Sequence, residues 1–303
     1  MGGVRLTFDA VFENAINKGA QISALHPFSL AYYRKFGYEV IFRYITANCS
    51  FKAFQNLERF TNVTIATENE AAELIDIYQT IAKNNNLMPS RHTNENFHLN
   101  PYNNCKYTYF IKDDDSKGYI LISPDRASRI ITVNEICFTD KKTALKLLGF
   151  LRTYDGNYDT VIFEKLPLTT PVLSLLDDEN RLITRNIYYG CAARILDMEA
   201  VLKANDYPEE EGIFTIKSID EQIEANNGIF TVRYKNGKCT VTVNEATDYD
   251  IAFDAPAAAR LLLGKEGLTL DEISYIDNVE IKTDCKDFLN AFKKSTTQFY
   301  EGF

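Results

Sequence analysis

Residues 24–40 read ALHPFSLAYYRKFGYEV: two adjacent tyrosines, a basic pair, then Phe36-Gly37-Tyr38. A tyrosine hydroxyl, with an ordinary pKa of about 10, donates a proton to a leaving group only when its position is held firmly. A short helix over residues 30–36, stopped by Gly37, would hold Tyr33 in that way. In so aromatic a run the ordinary role of a tyrosine is packing, and Tyr32 reads as that. Gly2 and Gly3, followed by Val4 and Arg5, stand just ahead of a helix, where bare backbone N–H groups and the helix dipole suit a phosphate. The chain stops at Phe303. Its α-carboxylate, with a reference pKa of roughly 3.5, is a weak base that burial would strengthen.

Other chemistry-bearing residues form no constellation. His92 and His98 are six apart, wrong for two ligands on one helix face, and no Cys or carboxylate cluster completes a metal site. His26 lies beside the tyrosine run and reads as packing or a ligand contact. The cysteines (Cys49, Cys105, Cys137, Cys191, Cys239 and Cys285) are scattered singly, with no CxxC pair, so they read as reduced thiols of a cytoplasmic protein. Cys105 and Cys137 have no base nearby in sequence to make them nucleophiles. Asp113-Asp114-Asp115 lacks EF-hand spacing and reads as a solvated turn. Arg34-Lys35 reads as a solvated face that could steer a phosphate.

The charge balance is 33 basic against 42 acidic residues, net −9. This disfavours nucleic acid, which is held by concentrated positive charge. It serves solubility first and would suit a cationic substrate. No apolar run approaches the roughly 20 residues that cross a bilayer, and the acids within the first apolar stretch exclude a signal peptide.

The 303 residues, 45% of them hydrophobic, suffice for two or three domains. Val4, Phe8, Val11, Phe12, Ala15 and Ile16 share one face of a helix over residues 4–18 that Gly19 ends. A strand over 21–25 follows, broken by Pro27, and after the short helix a strand over 38–45. A second unit starts near Asn62, with a strand over 63–66 and a capping box, Thr67 to Glu70, ahead of a helix carrying Leu74, Ile75, Tyr78 and Ile81. Residues 84–104 read as loop, and 107–111 with 119–123 as a hairpin. Strand 129–138, helix 141–151 and strand 159–163 make a βαβ unit. From about Gly190 the pattern is α+β, with strands at 191–196, 213–217, 229–234, 239–244 and 249–253. Asn236-Gly237 marks a hairpin, Pro256 opens a helix, and residues 284–294 form the last one.

Pro27-Phe28-Ser29, Tyr33 and Phe36-Gly37-Tyr38, the unit order and the terminal FYEGF together resemble the Eis-like branch of the GNAT N-acetyltransferases. The resemblance spans the whole chain. It implies an α/β plus α+β architecture: residues 1–60 as the C-terminal half of a catalytic GNAT domain, 61–189 as a second, degenerate GNAT-like domain, and 190–303 as a sterol-carrier-like domain. It implies acetyl transfer from acetyl-CoA to a primary amine of a cationic small molecule or a lysine side chain. Tyr33 would be the proton donor and the Phe303 carboxylate the general base. Gly2, Gly3, Val4 and Arg5 match the end of the pyrophosphate loop, and Phe28 and Ser29 a loop touching coenzyme A. A closed homo-oligomer, without metal, nucleic acid or membrane, is implied as well. Family members carry roughly another half-domain upstream, so the sequence reads as an N-terminally truncated fragment or as one started at an internal methionine, with truncation favoured. The alternative reading is a non-catalytic protein whose residues 190–303 enclose an apolar ligand or form an oligomer contact.

Overall fold

The structure is a computed structural model and describes residues 2–99, 105–111, 113, 115–177, 181–297 and 300. In chain order it begins with helix α1 (Gly2–Asn17), strand β1 (Ile22–Leu25), short helix α2 (Leu30–Arg34), β2 (Glu39–Val40) and β3 (Arg43–Ser50). Then come β4 (Val63–Ile65), α3 (Ala71–Ala82), β5 (Tyr107–Ile111), β6 (Gly118–Asp125), β7 (Ile130–Phe138), α4 (Lys141–Arg152), β8 (Thr160–Pro167) and β9 (Ile183–Tyr189). The remainder holds β10 (Ala192–Ile195), α5 (Met198–Lys203), β11 (Gly212–Ile219), β12 (Gly228–Lys235), β13 (Lys238–Val243), β14 (Ile251–Asp254), α6 (Ala255–Ala258), α7 (Leu270–Ser274), β15 (Val279–Ile281) and α8 (Lys286–Ala291).

The chain forms two compact units, one of residues 2–42 and 189–295, the other of 43–188 with 296, 297 and 300. They do not coincide with the three segments 1–60, 61–189 and 190–303. The reason is strand pairing. The single strand expected over 38–45 is two strands. β2 pairs with β10 through Val40 and Ala192, whereas β3 pairs antiparallel with β8, Cys49 opposite Val161. The first sixty residues are therefore divided between the units at Phe42.

In the first unit β1, β10 and β2 form an antiparallel three-stranded sheet, and β13-β12-β11-β14-β15 a five-stranded one. Asn236 and Gly237 both adopt positive φ, as the tight turn between β12 and β13 requires. Asp254 caps α6 through the N–H of Ala257, with Pro256 in the first turn. Helix α1 starts at Gly2, so Gly2 and Gly3 are its first turn and do not precede it. Only Phe12 of its apolar face is buried, with Phe8 and Ala15 half-buried, while Val4, Val11 and Ile16 are exposed. The 3.6-residue period made a helix, but it did not specify how much of the face a partner covers.

The second unit is one mixed sheet ordered β4-β5-β6-β7-β8-β3-β9. Strands β7 and β8 are parallel and joined through α4, the expected βαβ unit. The capping box at Thr67 and Glu70 is formed. A core of Ile120, Ile122, Val133, Leu147, Val161 and Phe163 fills one face. Leu74, Tyr78, Phe97 and Tyr119 cover the other. Among the described residues no helix is long and apolar enough to cross a membrane.

Candidate active site

The tyrosine run is built around α2. Ser29 caps the helix from an extended conformation, φ −150°, with no hydrogen bond from its side chain, and its carbonyl accepts the N–H groups of Tyr32 (3.1 Å) and Tyr33 (3.2 Å). At the other end Gly37 adopts φ +79°. Its N–H donates to Arg34 O (3.0 Å), and the N–H of Tyr38 donates to Tyr33 O (3.3 Å). This pair of bonds is the Schellman stop, and its accompanying apolar contact is present: the Tyr33 and Tyr38 rings are 6.0 Å apart. Glycine is needed at position 37 twice over, for its positive φ and because a Cβ there would lie 2.6 Å from Arg194 Nη1.

Around this turn the aromatics form a nest. Phe8 of α1 stacks on Phe36 at 4.2 Å. Tyr33 meets Phe8, Phe28 and Tyr32 edge-on, at 6.3, 5.2 and 5.3 Å. Such contacts each contribute about 0.5–1.5 kcal/mol beyond burial, enough to hold a five-residue helix that would not persist alone. The three tyrosines part company by their hydroxyls. That of Tyr38 shares a 2.7 Å hydrogen bond with Ser23 Oγ, and burial pushes its phenol above the usual value. Tyr33 is half-buried, and among the described residues its hydroxyl has no hydrogen-bond partner. Tyr32 packs on Phe28 and Phe36 at 5.4 Å each, as expected.

The other candidates are only partly gathered. Phe8 joins α1 to the nest, so residues 2–5 lie roughly 5–9 Å further along the same helix. Gly3 faces open space, with nothing within 4 Å of where a Cβ would sit. Val4 is 45% exposed and Phe28 78%. The Arg5 guanidinium donates to Glu221 O (3.2 Å) and lies 3.9 Å from the Glu221 carboxylate. Both side chains are exposed, so releasing Arg5 to a phosphate would lose at most about 1 kcal/mol. Phe303 lies outside the described residues. The helix start and a releasable arginine fit a phosphate; Gly3 shows no steric need for glycine. His26 is exposed.

Beneath the nest is a buried ion pair that inspection of the sequence missed. Arg194, on β10, is 1% exposed, and its Nη2 donates to both carboxylate oxygens of Asp220 at 2.6 and 2.7 Å. Its Nη1 also donates to Phe36 O, inside the stop of α2, and to Gln222 Oε1 at 2.9 Å. The guanidinium stacks over Phe12, 4.5 Å from the ring centre. Burial pulls the Arg194 pKa down while Asp220 opposes this. The signal was present in CAARIL: a charge in the middle of an apolar strand must be paired when the strand is buried. Glu135 in IITVNEICF is the same case in the second unit, held by Arg91 at 2.7 and 2.8 Å. Arg34 forks onto Glu39 at 2.6 and 3.1 Å, which raises its pKa. Cavities of about 400 and 380 Å³ beside α2 are bordered by Arg34, Lys35, Asp254 and Asn278, and Tyr33 lines neither. Their charged walls, like those of a 440 Å³ hollow at Glu211, Arg233 and Asp287, give the apolar-ligand reading no support. Among the described residues no group of three His, Cys, Asp or Glu could hold a metal ion.

Comparison with known proteins places these observations. Residues 88–195 match the acetyltransferase (GNAT) domain family, and residues 198–296 the sterol carrier protein domain family. No curated protein matches the sequence. Among solved structures, a GCN5-related N-acetyltransferase from Anabaena variabilis superimposes with a TM-score of 0.86 at 19% identity, over 100% of this chain and 78% of that one. One from Kribbella flavida gives 0.81 at 18% identity, over 97% and 74%. Eis1 from Mycobacterium abscessus gives 0.77 at 17%, over 100% and 78%. At these identities the likeness is one of fold, and the fold is that of the expected architecture. The GNAT match falls on the second unit and reaches β10, leaving Tyr33 outside it. The chain thus carries an acetyltransferase (GNAT) domain over residues 88–195 followed by a sterol carrier protein domain over residues 198–296.

Proposed function

We propose that the protein is an acetyl-CoA-dependent N-acetyltransferase acting on a primary amine of a cationic small molecule or a lysine side chain, with Tyr33 as proton donor and the Phe303 carboxylate as general base. In this reading residues 1–60 are the remnant of the catalytic GNAT domain, 61–189 its degenerate second copy and 190–303 the sterol-carrier-like domain. The observation that carries the reading is the presentation of Tyr33. It sits on a helix locked at its C-terminal end and wedged by four aromatic rings, and its hydroxyl is not committed to a described partner. Its neighbour Tyr38 is buried and committed.

The chemistry follows from the groups. The amine nitrogen attacks the thioester carbonyl, a C–N bond forms and the C–S bond breaks. The amine loses its proton to the Phe303 carboxylate, and the departing thiolate takes one from Tyr33. Gly2 and Gly3 in the first turn of α1 would hold the pyrophosphate through their backbone N–H groups, with Arg5 one turn on. Phe28 and Ser29 flank the loop before α2 and would touch the cofactor. The net charge of −9 favours a cationic acceptor. Assembly into a closed homo-oligomer belongs to the same proposal.

The test is calorimetric titration of acetyl-CoA into the chain with an untagged C-terminus, followed by turnover of Tyr33→Phe. Binding should be seen. The variant should lose about 10²–10⁴-fold in kcat while its affinity for acetyl-CoA holds. Unchanged kcat removes Tyr33 from the mechanism, and absence of binding removes the cofactor site. Adding one residue after Phe303 should abolish turnover if its carboxylate is the base.

A further inference from the structure

In the second unit the parallel strands β7 and β8 stay in register only from Ile130 opposite Thr160 to Val133 opposite Phe163. Beyond that point β7 runs on to Phe138 alongside β6, and β8 runs on to Pro167 alongside β3. The sheet therefore opens a wedge at the carboxyl ends of two parallel strands. This is where open α/β sheets take their ligands, and strands that part leave backbone groups to be satisfied. Here the wedge is taken by the chain's own tail. Tyr300 lines the 220 Å³ cavity between Ile136, Cys137 and Phe138 on one side and Leu166 and Pro167 on the other.

The tail is tied on both sides of that ring. Tyr300 OH donates to Ile136 O at 3.0 Å, a carbonyl past the end of the β7–β8 register, and Lys165 Nζ donates to Tyr300 O at 3.0 Å. Upstream, Asn86 N donates to Thr296 O (2.7 Å), Asn86 Nδ2 to Thr297 Oγ1 (3.2 Å), and the hydroxyls of Thr169 and Thr296 are 3.1 Å apart. Burial pushes the Tyr300 phenol well up, which favours its protonated, donating form.

We infer that the β7–β8 wedge is a receptor for the C-terminal segment, with Tyr300 as the positioning residue that fixes the tail three residues before Phe303. The second unit then serves acetyl transfer as an anchor for the chain end and takes no ligand of its own in this wedge. The inference rests on the reading of Phe303 for its catalytic meaning, but the anchoring can be measured without it.

The experiment is hydrogen–deuterium exchange of the tail amides in the full chain and in Tyr300→Ala, Tyr300→Phe and Lys165→Ala, with turnover measured in parallel. Tyr300→Ala should speed exchange from residue 297 onward by about tenfold or more, leaving β7 and β8 protected. Tyr300→Phe, which loses only the hydrogen bond, should speed it by roughly fivefold or less. Lys165→Ala should raise it too, and it decides the matter if Tyr300→Ala fails to fold. Tail exchange at the parent rate in the folded variants overturns the inference. Faster exchange with unchanged turnover upholds the anchor and removes Phe303 from catalysis; faster exchange with a fall in kcat and constant acetyl-CoA affinity supports both.

Discussion

Replacing Asp220 by Ala is the sharpest test of what holds the tyrosine helix in place. Its carboxylate accepts five hydrogen bonds: two from Arg194 (2.6 and 2.7 Å), one from the N–H of Gln222 (2.9 Å), one from the N–H of Ile223 (3.0 Å) and one from Asn226 Nδ2 (3.2 Å). The side chains of Arg194 and Asp220 are 1% and 3% exposed, so the substitution leaves the guanidinium without its counter-charge and takes the carboxylate acceptor from the N–H groups of Gln222 and Ile223 in a desolvated place. Breaking a buried pair from one side costs about 3–5 kcal/mol. The 400 Å³ cavity bordered by both residues lets water reach the vacated acceptor position, which argues for the lower end, about 3 kcal/mol. Because Arg194 also donates to Phe36 O, the loss should reach the stop of α2. Native-state hydrogen exchange suits the measurement, since it reads β10 and residues 220–227 without assuming that two units unfold together. About 3 kcal/mol is roughly a 150-fold acceleration there. The pair Arg194→Met with Asp220→Leu should recover the part of the loss that comes from the uncompensated cation, because well-packed apolar replacements of buried ion pairs are commonly neutral, while the N–H groups of Gln222 and Ile223 still lack the carboxylate. A loss below about 1 kcal/mol in Asp220→Ala, or no recovery in the double variant, would refute the view that an uncompensated charge is the cause.

Three further outcomes are expected. Gly37→Ala forces a Cβ into a positive-φ position and against Arg194 Nη1, so it should destabilise the first unit by at least about 1–2 kcal/mol in urea unfolding followed by exchange at Tyr38. Asp140, the cap of α4, is held below the usual carboxylate range chiefly by the Thr143 N–H; its stabilisation should be full above about pH 4 and fade as the pH falls through that lowered pKa, and Asp140→Ala should remove about 1 kcal/mol at pH 7 and less at pH 2. In thiol labelling of the native protein Cys105, which is exposed, should react first, whereas Cys191, buried and pushed up to about 12, should resist until unfolding; equal rates would contradict the burial described.

Local chemistry was legible in the sequence wherever neighbours in the chain are neighbours in space. The stop at Gly37, the cap at Thr67, the turn at Asn236-Gly237 and the Pro256 helix start each depend on a few consecutive residues, and each is formed. The βαβ unit was legible too, because strand and helix periods differ. Tyr33 stands out only through the resemblance to the Eis-like motif, three residues before Phe36-Gly37-Tyr38, and that turn produces the lock on its helix.

What only the tertiary structure decided depends on partners far apart in the chain. Residues 38–45 read as one strand because alternation carries no mark of which neighbour each half will find; Val40 finds Ala192 and Ile45 finds Leu166. Arg194 lies on β10 and Asp220 just past the end of β11, and nothing local says that their burial is shared. The buried share of α1 was set by Phe36, Tyr38 and Ile223, so Val4, Val11 and Ile16 remained outside although their periodicity is the same. The seat of Tyr300 exists only because β7 and β8 part company after Val133, a property of the sheet and of no single segment. The amino-acid sequence by itself determined the elements and the turns that end them, since these follow from backbone sterics and short-range hydrogen bonds. Their partners had to wait for the folded chain, because burial and ion pairing depend on what long-range packing brings alongside.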